Sequence, residues 1–299
     1  MIKTASTTKL IIGLAMATLF ASCGGDGAEG GSSSNPQDSA AQSEMSKKAK
    51  KVFYAIPSPV EMANMIKQSG ANYNKDLLNP KDNVSKYTTN TSMALNLGIY
   101  GADLSYTSIF DQTQPSMQYM ACSKKLADAL GITGAFTPET VDRLEKNVNN
   151  KDSLLQIVSD AYLTTDAYLK ENERASTSAL IIAGGWIEGL YIATKIAGKN
   201  NQNGAIATRI AEQKPVLENL ISLIESYPND PSLSDVLNQL KSLNDVYSAV
   251  GGAATKTEAT TDDAAKQTTI GNDGKATLSA EQLATITAKV DAIRTSIIK

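Results

Sequence analysis

Apolar positions recur every three or four residues over nearly all of the stretch from Lys51 to Val250, while the alternation of a half-buried strand never persists. The pattern predicts helices at about 58–69, 91–111, 115–130, 138–148, 151–170, 175–197, 204–226 and 232–250. Start signals support these positions. Ser58-Pro59 with Glu61 forms a cap, a first-turn proline and a capping-box acid. Thr137-Pro138-Glu139 repeats that arrangement, and Gln114-Pro115 and Asp230-Pro231 are similar. Asn79-Pro80-Lys81-Asp82-Asn83 marks a longer loop between the first two helices. A last helix follows Ser279 and Gln282, with Leu283, Ile286, Val290, Ile293 and Ile297 at helical spacing.

Two predicted helices, Met93 to Phe110 and Ala179 to Ala197, are apolar on nearly every side, as is a helix enclosed by others. Gly98 and Gly101 in one, and Gly184, Gly185 and Gly189 in the other, each cost roughly 1 kcal/mol against Ala. Close backbone approach would offset that cost. The length of the second helix and its Glu188 argue against a membrane span. Residues 251–277 shift to Gly, Ala, Thr, Asp and Lys, which reads as a loop insertion. Within it, Gln267 to Leu278 could form a small hairpin about Asn272-Asp273-Gly274. The fold class expected is all-α: an orthogonal or two-layer bundle of eight or nine helices. A shift of 85 residues pairs Leu95 with Leu180, Asp103 with Glu188, Tyr106 with Tyr191, Asp160 with Asp245 and Tyr162 with Tyr247. That recurrence suggests two similar helical halves.

The N-terminus changes the picture. Lys3 and Lys9 precede an apolar run from Leu10 to Phe20, the length of a signal-peptide core and too short to span a bilayer comfortably. Phe20-Ala21-Ser22-Cys23 resembles a lipobox, with Phe20 where Leu is usual. The expected organisation is a signal peptide at 1–22, a lipidated Cys23 with a flexible, disordered tether to residue 50, and a helical domain from 51 to 299. Gly24 follows Cys23 where an Asp would favour inner-membrane retention in some bacteria, so the outer membrane is the expected address. The basic cluster of Lys47, Lys48, Lys50 and Lys51 reads first as a solvated linker, and second as a contact for acidic headgroups.

Composition then excludes chemistries. The chain holds 28 basic and 31 acidic side chains and no histidine. Without Lys3 and Lys9 the net charge is about −5, which argues against nucleic acid as a partner. The missing imidazole removes Ser/His/Asp and Cys/His nucleophile systems and His-ligated zinc. With Cys23 lipidated, Cys122 is the lone thiol and reads as a buried small hydrophobe. No motif calls for a cofactor or metal: Gly184-Gly185 lacks the Lys of a phosphate loop, and Asn272-Asp273-Gly274 lacks a calcium loop's ligands.

Asn96-Leu97-Gly98-Ile99-Tyr100-Gly101-Ala102-Asp103-Leu104-Ser105-Tyr106, with Lys125 to Ile132 following, resembles uncharacterised helical lipoproteins of the Bacteroidota. The resemblance implies an envelope address and a helical fold, and brings no catalytic residues.

The candidate site is Asp103, Tyr106, Glu188 and Tyr191, two acid–tyrosine pairs three residues apart inside apolar helices. One reading is a polar pocket for a cation, a sugar or another small polar ligand, or a carboxylate pair for acid/base work. The plainer reading is a buried network in which tyrosine hydroxyls satisfy the carboxylates. Tyr100, Tyr119, Tyr162, Tyr168 and Tyr247 suit a core edge in the same way. Function therefore reads as non-catalytic binding or scaffolding of an envelope protein or small ligand, with a carboxylate-dependent enzyme acting on glycans or another envelope substrate as the alternative.

Overall fold

The computed structural model describes residues 66, 68, 70–132, 137–147, 150–199, 204–249, 258–262, 267–271 and 278–299. The signal peptide, Cys23, the tether and the lysine cluster lie outside these residues, as does most of the helix expected at 58–69; Ile66 and Gln68 are helical.

Thr89 caps the first long helix, α1 (Asn90–Ile109): its side chain accepts from Ser92 N while Ser92 reaches back to the Thr89 N–H. That helix is buried from Met93 to Ile109 except at Ala102. Helix α2 (Thr113–Ala129) packs on it and stops at Gly131, whose φ of 68° suits a residue without a Cβ. Thr137 caps α3 (Pro138–Lys146) by accepting from Thr140 N, and Asn150 caps α4 (Lys151–Glu171) by accepting from Ser153 N. Next comes α5 (Ala175–Lys199), the second central helix.

The apolar span at 204–226 is not one helix. It divides into α6 (Gly204–Ala211) and α7 (Lys214–Glu225). Pro215 is the cause: it carries no N–H and its ring crowds the carbonyl four residues back. The span at 232–250 opens with a 3₁₀ turn at Pro231–Leu233, capped by Asp230, before α8 (Ser234–Ser248). The hairpin also lies elsewhere than expected. β1 (Glu258–Asp262) pairs antiparallel with β2 (Gln267–Gly271), with Glu258 opposite Gly271 and Asp262 opposite Gln267. Residues 263–266 between the strands, and Asn272-Asp273-Gly274, lie outside the described residues. Helix α9 (Ala280–Ile297) closes the chain, and its Ser279–Gln282 capping box forms as the sequence indicates. Among the described residues the fold is all-α, nine α-helices with one two-stranded hairpin.

The core is organised by the crossing of α1 and α5, the most extensive helix pair. A Cβ on Gly98 would lie 2.1 Å from the Ile181 carbonyl oxygen, and one on Gly184 would lie 2.0 Å from that of Leu95. The contact is reciprocal: each glycine meets the carbonyl three residues before the other. Backbone therefore touches backbone, which is what the two glycines cost helix propensity to allow. Around this crossing pack α2 and α4 on α1, and α4, α6, α7 and α9 on α5. Helix α5 is long and apolar enough to cross a membrane by length and composition, yet 83% of that window is buried inside the molecule. It is the enclosed helix of a bundle.

Candidate functional site

Four segments converge on the candidate acids. Helix α1 places Asp103 and α5 places Glu188, both 0% exposed. The loop ahead of α1 contributes Leu77 and Asn79, and α9 contributes Arg294, 6% exposed. Arg294 grips Glu188 through both carboxylate oxygens, Nε to Oε2 and an Nη to Oε1, each at 2.9 Å. The same guanidinium donates to the Leu77 carbonyl at 2.9 Å. Its Cζ sits 4.3 Å from the centre of the Tyr191 ring, a cation stacked on an aromatic face. Burial opposes its charge, but the Glu188 carboxylate raises the Arg294 pKa above its usual value.

Asp103 is held differently. Its Oδ2 accepts from the Asn79 backbone N–H at 3.1 Å. Its Oδ1 is buried without a hydrogen-bond partner, and the Glu188 carboxylate lies near enough to act on it. Two neighbouring carboxyls buried together disfavour both being charged. Burial first, and the neighbouring Glu188 charge second, push the Asp103 pKa well above the carboxylate range, against the pull of Arg294. That shift favours the neutral form of Asp103, beside a Glu188 held by Arg294.

The tyrosines do not do what the sequence suggests. The Tyr106 hydroxyl accepts from Asn74 N at 3.1 Å, and its ring packs on Tyr73 and Phe110 with centroids 5.7 and 5.0 Å away. Tyr191 contributes its face to Arg294 and, on the exposed side, to Lys195 at 5.2 Å. What satisfies the acids is a backbone N–H and an arginine. The other tyrosines tie helices to backbone: Tyr100 to Pro80 O, Tyr119 to Asn79 O, Tyr162 to Gly98 O and Tyr247 to Ile210 O.

Next to the acids lies an asparagine cluster that the sequence did not single out. Asn79 Nδ2 donates to Tyr87 Oη and to Asn96 Oδ1, at 3.0 and 3.1 Å. Asn83 Nδ2 donates to Asn79 Oδ1 at 3.1 Å. The cluster also holds the chain end: Asn96 donates to Ile297 O, and Asn83 and Tyr87 to Ile298 O, at 3.2–3.3 Å. Arg294 had a legible signal. It lies four residues after Val290 and so falls on the apolar face of α9. A cation there implies a buried anion opposite.

A small cavity of about 30 Å3 is lined by Leu97, Leu104, Leu144, Val158 and Ile181, and its walls are almost wholly apolar. That volume is too small for a substrate. Cys122 is buried with its thiol toward Lys81 O, and burial pushes it up to about 11. Among the described residues no group of three or more Cys, Asp and Glu side chains is placed to hold a metal. Comparison with protein-family models, with curated proteins and with solved structures found no match.

Proposed function

We propose that the protein is a lipid-anchored envelope protein, tethered through Cys23 to the outer membrane, whose helical domain binds or scaffolds a partner without catalysing a reaction. The observation that carries the anchor is Cys23 itself, set behind two small residues at the end of the Leu10–Phe20 run and ahead of a long polar tether. The partner is an envelope protein or a small polar ligand, and the acidic balance speaks against nucleic acid.

Burial is what favours a binding role over a glycan-directed enzyme. A pair of catalytic carboxyls must reach substrate and water. Asp103 and Glu188 reach neither, and Glu188 is engaged on both oxygens by Arg294. The acids close the core.

Two measurements test the proposal. Growth with an alkyne-bearing fatty acid should label the wild-type chain and leave Cys23→Ser unlabelled; equal labelling of the two would refute the anchor. In-cell crosslinking of the lipidated protein should then yield one reproducible envelope protein, lost when the helical domain is removed. Absence of any such protein would move the weight to a small ligand.

A further inference from the structure

We draw no further inference here: the strongest candidate, the buried cluster of Asp103, Glu188 and Arg294 where α1, α5 and α9 meet, belongs to the site already described, where burial, the Arg294 grip on Glu188 and the raised Asp103 pKa account for its chemistry without a ligand.

Discussion

At residue scale, two acids in one network are held in opposite states by their neighbours. Asp103 faces a carboxylate and one backbone N–H; Glu188 faces a guanidinium. The asymmetry makes the substitutions unequal. Asp103→Asn keeps an oxygen for the Asn79 N–H and offers an N–H to Glu188, so at neutral pH it should cost less than about 1 kcal/mol. Glu188→Gln leaves the buried Arg294 without a counter-charge and should cost about 3–5 kcal/mol. Urea midpoints would decide; equal losses would mean that the proton is not on Asp103. The same assignment has a pH signature. Because burial raises the folded pKa of Asp103 above its unfolded value, the folded state holds a proton that the unfolded chain gives up. The stability from that proton is whole below about pH 4 and is lost as pH rises through the folded pKa, at up to about 1.4 kcal/mol per pH unit. Asp103→Asn has no such proton. The stability of wild type relative to this variant should therefore fall as pH rises above about 4 and level off once the folded pKa is passed, and a flat difference would remove the protonated acid from the account. The exposed pairs, such as Lys124–Asp128 and Lys146–Asp142, carry no comparable weight.

At the scale of elements, glycine separates close approach from mere tolerance. Gly98 and Gly184 each leave room for a backbone carbonyl that a Cβ would strike, whereas a Cβ on Gly189, in the same helix as Gly184, would meet nothing within 4 Å. Gly98→Ala and Gly184→Ala should each destabilise by about 3 kcal/mol, because α1 and α5 must move apart. Gly189→Ala should stabilise by up to about 1 kcal/mol through helix propensity alone. Thermal melts of the three variants would show the contrast, and a loss at all three would mean that propensity arguments fail along α5. Among the described residues most helices were legible because the 3.6-residue period is strong. The break at Glu212-Gln213 was legible too, in Pro215, but the continuous apolar run on both sides masked it. The hairpin was misplaced because Asp-Gly is a strong local turn signal, and pairing of 258–262 with 267–271 overrode it.

At the scale of the whole molecule, the proposed lipid anchor makes a prediction distinct from the fold. Cys23→Ser should release the protein from membranes while leaving its melting temperature within about a degree of the wild-type value. A large drop in melting temperature would mean that tether or lipid takes part in the fold. Helix α5 shows the converse dependence on context: the same apolar run would suit a bilayer, and it is the surrounding helices and the Arg294 partner of Glu188 that make it a core.

The sequence by itself determined the helical class, the two central helices, the exclusion of imidazole chemistry and the candidate acids, because periodicity and residue type are local properties. Tertiary structure alone decided what those acids are for. Arg294 lies 106 residues from Glu188 and Asn79 lies 24 from Asp103, and no local pattern pairs them. Only the folding of α9 and the 71–89 loop onto α1 and α5 turns a candidate pocket into a closed network, since a buried carboxylate takes whichever donor or cation the packed chain brings to it.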